Sequence, residues 1–355
     1  MSTTLTSKKT SKKWSCKSKR LGISWLLLAM PLAAASNRIY VANTAGTSVS
    51  VIDTGKNKVV QEIKGIQVPE SVAVSPDGKQ LYISQWTEKV LTVVDRKTGK
   101  KIKDVPVTGH SHDVAATKDG KWVLVCDAQN PGALDIVDAH TLELAKSIPM
   151  KTKQHDVVVT ADSKYAITTA EGQPVMTVVD LQSQTVAWEH TFDMGTQVAA
   201  IESNPDGSAR RVFVQLNKLR GFAVVDFATH EETARITLPD DEPAIKTSMS
   251  GHGIAVSPDG KWLWNTSKTY DAAFVYALPE IKLVGRVHLP KLNPPGHDPL
   301  SGSPNWITFT PDSKRAYIIN AMDRSVSVVD VKTLQVTGRI PVGEEPSRST
   351  LFAGR

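Results

Sequence analysis

Short runs in which apolar and polar positions alternate dominate the chain, among them RIYVAN (38–43), SVSVID (48–53), QLYIS (80–84) and VLTVVD (90–95). Each is four to six residues long and rich in Val, Ile and Tyr. Gly, Asn or Asp-Gly turn signals bound them, the pattern of half-buried strands joined by tight turns. No apolar spacing of three and four residues competes with this period of two. The element ending in Asp recurs as SVSVID at Asp53, VLTVVD at Asp95, ALDIVD at Asp138, VMTVVD at Asp180, FAVVD at Asp226 and VSVVD at Asp330. The phrase AAFVYA, ending at Ala277, holds the missing place without the acid. The first aspartates are 42, 43, 42 and 46 residues apart. A turn-and-strand phrase precedes most of them: SPDGKQLYIS (75–84), TKDGKWVLV (117–125), SPDGKWLWN (257–265) and TPDSKRAYII (310–319).

Four strands in each unit of about 40–45 residues predict an all-β propeller, one unit per blade, and seven units fit the length. The first unit begins at RIYVAN and lacks the strand that precedes this phrase elsewhere. The C-terminal EEPSRSTLFAG (344–354) matches QVPESVAVS (67–75). The last strand is therefore expected to complete the first blade and close the ring, which removes an open sheet edge.

The N-terminus changes the picture of charge. Residues 1–35 carry Lys8, Lys9, Lys12, Lys13, Lys17, Lys19 and Arg20 with no acid, then the apolar run Leu21 to Leu32 and Ala33-Ala34-Ala35. These are the parts of a secretory signal peptide, and the run is shorter than the roughly 20 residues of a stable membrane span. Residues 1–35 are thus expected to be an export signal and 36–355 a single propeller domain, periplasmic or secreted. The whole chain is +6; without the +7 of its first 35 residues it is −1. That balance excludes a nucleic-acid footprint as the default. One cysteine, Cys126, remains beyond the leader, so no intramolecular disulfide is available.

Candidate chemistry gathers at one register. Counting back seven residues from the turn acids Asp77, Asp119, Asp162, Asp206, Asp259 and Asp312 gives Glu70, His112, His155, Ala199, His252 and Asn305; the C-terminal unit gives Ser347. All start the innermost strand of a blade, so His112, His155 and His252 are expected to open onto one end of the central channel. His110 and His297 lie in loops of that face. Imidazole is a common ligand for zinc and copper, and three histidines with an open position suit a catalytic metal. His112, His155, His252, His110 and His297 are therefore candidate metal ligands, for copper or zinc, with affinity falling below about pH 6. The Asp after His112, His155 and His297 is a candidate partner for fixing the tautomer. Arg348 and Trp306 are candidate cofactor contacts, with Arg220 and Trp86 near the same mouth. A tetrapyrrole is the alternative cofactor, and acid–base catalysis without metal another use of the histidines. Met150, Met194 and Met249 read as gap fillers, Trp122, Trp262 and Trp264 as packing, and His140, His190, His230 and His288 as surface residues. Cys126 reads as a small buried hydrophobe. No Cys-x-x-Cys-His appears, which excludes covalent c-type haem, and no Gly-x-Ser-x-Gly or Gly-rich phosphate loop is present. The loops 238–251 and 289–304 are longer than the repeat requires and are expected to rise over the histidine face.

The phrases IYVAN, SVAVSPDGKQLYIS and VSVVDVKTLQVTGRIPVG resemble the YVTN-type repeats of bacterial seven-bladed β-propellers, over residues 38–355. That resemblance implies the fold and leaves function open among binding scaffolds, surface proteins and enzyme-like branches. Some relatives with this repeat form the tetrapyrrole-d1 group, whose channel carries histidine near an iron porphyrinoid. Their ring has eight blades, and seven here counts against direct transfer. Three readings follow. The first is an exported propeller holding a metal ion or metallocofactor at the channel mouth, with oxidoreductase activity. The second is a metal-assisted lyase or lactonase. The third is a protein-interaction module that docks a partner on that face.

Overall fold

The computed structural model describes residues 1–7, 10–12, 37–247 and 250–354. The chain divides into two units, 1–34 and 35–355. Most of the expected export signal lies outside the described residues. Among those described, no helix is long and apolar enough to cross a membrane.

Residues 37–354 form seven four-stranded antiparallel sheets. Six are built from consecutive strands; their inner strands are Pro69–Val74, Ser111–Ala116, Asp156–Val159, Thr196–Ser203, Ile254–Val256 and Pro304–Phe309. We number these blades two to seven. In blade one the inner strand is the C-terminal Pro346–Phe352, paired antiparallel with Arg38–Asn43. The predicted closure and the seven-bladed all-β fold are both present.

Seven apolar clusters form the core, each between neighbouring blades. Strand alternation explains the division. Ile39 and Val41 face Tyr317 and Ile319 of blade seven, whereas Tyr40, between them, faces Val72 and Leu81 of blade two. The cluster that seals the ring across its two ends is as buried as the others.

The repeated aspartates are structural. Asp53, Asp95, Asp138, Asp180, Asp226 and Asp330 end third strands, and each accepts backbone N–H bonds from residues two or three further on. The turn acids act likewise. The hydroxyls of Ser75, Thr117, Thr160, Ser257 and Thr310 donate to Asp77, Asp119, Asp162, Asp259 and Asp312. Each of these hydroxyls also accepts the N–H five residues on, which starts the next strand.

Start and end positions of paired strands place the register residues. Pro69 pairs with Gln85 and Ser111 with Asp127, so the start of an inner strand and the end of the second strand share one face of the ring. The Asp-Gly turns lie on the opposite face. The loop 289–304 contains an additional hairpin, Lys291–Leu292 with Leu300–Ser301.

Candidate functional site

β-Bulges build the site. The inner-strand ladder slips between Pro69 and Val72, Ser111 and Val114, Thr196 and Ala199, and Pro304 and Ile307. The closing strand slips across Ser347 and Arg348. Such a slip leaves two residues outside regular pairing and turns their side chains off the sheet. Those residues are Glu70-Ser71, His112-Asp113, Gln197-Val198, Asn305-Trp306 and Ser347-Arg348. In blades four and six the strands begin later, which leaves His155 and His252 just ahead of them. His252 lies between two glycines in close quarters: a Cβ on Gly251 would stand 2.4 Å from Thr266 O, and one on Gly253 2.1 Å from Asn305 O.

One register assignment is corrected. In blade five the residue equivalent to the histidines is Gln197, not Ala199. The strand Thr196–Ser203 carries a second irregularity at Glu202/Ser203, which lengthens the count to the turn acid.

His112, His155 and His252 are brought together, and Arg348 joins them. The His112 and His155 rings have centroids 4.5 Å apart, and those of His155 and His252 are 5.0 Å apart. All three are buried, and Arg348 is only 1% exposed. Trp86 covers His112 edge-on at 4.6 Å from the outer side of the mouth. A connected polar layer spans the channel. Asn305 donates to the Ser347 carbonyl at 3.0 Å and the Ser347 hydroxyl donates to Glu70 at 2.8 Å. Arg348 Nη1 donates to Glu70 at 2.7 Å, while Nη2 donates to the His155 carbonyl at 3.3 Å and faces His155 Nε2 at 3.5 Å. Arg348 Nε stands 3.5 Å from Asp113 Oδ1.

The network assigns the tautomers. His155 Nδ1 lies 3.1 Å from the Gln197 carbonyl, an obligate acceptor, so it carries the proton. Its Nε2 is then the acceptor, as the Arg348 guanidinium also requires. His252 Nε2, 3.2 Å from His155 Nε2, must therefore donate. A neutral His252 consequently has its lone pair on Nδ1, and that atom has no hydrogen-bond partner. Burial, and then the positive charge of Arg348, hold His112 and His155 well below the usual histidine pKa; for His252 the causes are burial, His155 and then Arg348. All three are neutral imidazoles at neutral pH.

The aspartates after His112 and His155 do not fix the tautomers. Asp113 accepts the Val157 N–H at 2.9 Å and Asp156 the Ala199 N–H at 2.9 Å, tying blade three to four and four to five. Burial and the neighbouring Asp113 carboxylate push Asp156 well above the usual carboxylate range. Burial also raises Glu70, against the pull of Arg348. Lys268 follows the second strand of blade six, its pKa pushed down to about 8 by burial.

The expected copper or zinc site is not supported. Among the described residues no group of three or more His, Cys, Asp or Glu is arranged to hold a metal ion. Arg348 places a permanent cation beside the imidazoles. His110 and His297 are exposed loop residues without ring or hydrogen-bond contact to the cluster among the described residues. Trp306 lies against the Arg348 guanidinium, 5.1 Å from its ring centre. Arg220 pairs instead with Asp240 at 3.1 Å. Met150 and Met194 pack in apolar clusters, Cys126 is buried, and Met249 lies outside the described residues.

A prediction follows from the neutral imidazoles. Below about pH 6.5 the unfolded chain takes up protons on these histidines while the folded chain resists them, so stability is full above that pH and falls on acidification. Glu70 and Asp156, with raised folded values, act in the opposite sense as the pH drops toward 4. Comparison with His112→Asn isolates one histidine. Between pH 6 and 5 the variant's unfolding free energy should fall less steeply than wild type by about 1 kcal/mol per pH unit. Equal slopes in urea titrations would show that His112 protonates freely in the fold.

Fold and site define a seven-bladed propeller whose channel is crossed by a buried layer of histidine, arginine and carboxylate. Residues 33–350 match the cytochrome D1 heme domain family, and the chain belongs to it. No curated protein sequence matches. The fold is similar to a chain of Kuenenia stuttgartiensis hydrazine synthase, at 22% identity and a TM-score of 0.69, covering 82% of this chain and 91% of that one. It is also similar to dihydro-heme d1 dehydrogenase NirN in complex with DHE, at 17% identity and a TM-score of 0.58, covering 88% and 74%.

Proposed function

We propose that this chain is an exported, periplasmic tetrapyrrole-binding propeller of redox function, and that His252 would help to hold the group through an imidazole nitrogen. The buried Nδ1 of His252, which has no hydrogen-bond partner, carries this reading. A neutral imidazole with its other nitrogen donating to a fixed acceptor has the electronic state that an iron ligand needs. The chain Gln197, His155, His252 holds that state without a carboxylate. The residues fit such a group on the outer side of the layer only, since the packed rings leave no space for a macrocycle between them. Lys268 suits a carboxylate of a tetrapyrrole, and Trp86 offers a flat apolar surface. Bound there, the group would supply electron transfer at iron. The protein's own part is to orient the imidazole, keep it neutral and shield it from water. Family membership supports the cofactor class, and the basic, apolar and Ala-rich segments of residues 1–35 support export.

Absorption titration with heme d1, and with hemin as a second probe, tests the proposal. Wild type should give a histidine-ligated spectrum, which His252→Ala loses and His140→Ala, an exposed outer-blade control, retains. Lack of any spectral change in wild type would overturn it and leave the layer as a structural plug of an interaction module.

A further inference from the structure

Below the histidine layer the channel is not filled. A cavity of about 330 Å³ runs from the layer toward the Asp-Gly turns, where it reaches the exposed Lys118. Its walls come from the inner strands of blades one to four and are mostly Val and Ala, with Val72, Ala115 and Val158 among them. Its closed end is polar: Arg348, Asp113 and Ser71, with Trp306 beside them.

One unsatisfied group stands at this end, beside a carboxylate. Arg348 Nε is buried and has no hydrogen-bond partner, because its 3.5 Å approach to Asp113 Oδ1 is an ion-pair contact out of line for a bond. The other guanidinium nitrogens face Glu70 and His155. Asp113 spends Oδ2 on the Val157 N–H, and its Oδ1 lies on the Arg348 side, at the polar end of the cavity. A buried donor without a hydrogen-bond partner thus stands beside a carboxylate oxygen, a costly arrangement unless something enters.

We propose that this half of the channel is a second ligand site, for a small, uncharged planar molecule with an amide-type edge. The carbonyl oxygen of such a molecule accepts from Arg348 Nε and its N–H donates to Asp113 Oδ1. The charge balance selects against ions. An anion meets the carboxylates of Asp113 and Glu70, and a cation meets Arg348, with little water to screen either. Apolar walls and the Trp306 ring accommodate the body of the ligand. The site lies on the opposite side of the layer from the proposed tetrapyrrole, and it does not depend on that reading.

An isosteric series on the unaltered protein tests the charge rule. Benzamide, benzoate and benzamidinium have nearly one shape and differ in charge. Calorimetry at millimolar ligand should show benzamide binding at least tenfold tighter than either ion. Trp306→Phe should abolish the tryptophan fluorescence change that benzamide produces, while circular dichroism remains that of wild type. Arg348→Lys, which keeps the cation and removes the Nε–H, should lose the preference for benzamide. No binding of benzamide, preference for either ion, or a fluorescence change that survives Trp306→Phe would each overturn the assignment.

Discussion

Removal of residues 346–355 should open the ring and abolish cooperative unfolding near the wild-type temperature. The strand Pro346–Phe352 is the inner strand of blade one, yet it comes from the far end of the chain. Five of its residues pair with Arg38–Asn43, and residues 346–349 are buried. Each lost backbone bond removes about 1 kcal/mol, and the deletion also exposes the cluster between blades seven and one. The total exceeds ~5 kcal/mol, comparable to the whole stability of many domains. The melting temperature should fall by more than about 10 °C, or the transition should broaden into a non-cooperative loss. Truncation at Phe352, which spares the strand, is the control. A truncated protein that melts like wild type would show that closure adds nothing.

Arg348→Met is expected to be the most damaging single substitution in the channel. It leaves Glu70 and Asp113 buried without their cation, and breaking such a pair from one side costs about 3–5 kcal/mol. Methionine replaces much of the volume, so the loss reports charge rather than a void. Two measurements separate the causes. Glu70→Gln in the Arg348→Met background should recover part of the stability, because one uncompensated carboxylate disappears. Arg348→Met should also regain stability relative to wild type between pH 7 and 4.5, as the orphaned carboxylates take up protons. Loss of stability that neither the second substitution nor acid reduces would assign the effect to packing.

The two experiments touch the same residue by different routes. The closing strand carries Arg348, so the element that seals the ring also neutralises its centre. A ring without this strand would leave Glu70, Asp113 and three imidazoles facing an open channel. Closure and the polar layer are therefore linked, and the truncation should also remove whatever the layer binds.

The repeat determined most of the fold from sequence alone. Period-two alternation, Asp-terminated strands and hydroxyl–Asp turns are local signals, and each is satisfied by hydrogen bonds within its own blade. Ring closure was legible too, because EEPSRSTLFAG repeats an inner-strand phrase at the wrong end of the chain. The common register of His112, His155 and His252 was visible for the same reason: equivalent positions in a ring converge on its axis. What converges with them was not visible. Arg348 is separated from His155 by 193 residues, and nothing local says that its guanidinium stands beside the imidazoles. Gln197 was hidden by an extra irregularity in its strand, which only strand pairing reveals. His155 and His252 gained fixed tautomers from a carbonyl and a neighbouring ring, while the adjacent aspartates turned away to brace other blades. Local hydrogen bonds and strand period are written in consecutive residues. The burial, charge and protonation of the channel depend on what seven distant segments bring to one axis, and that was decided by the tertiary structure.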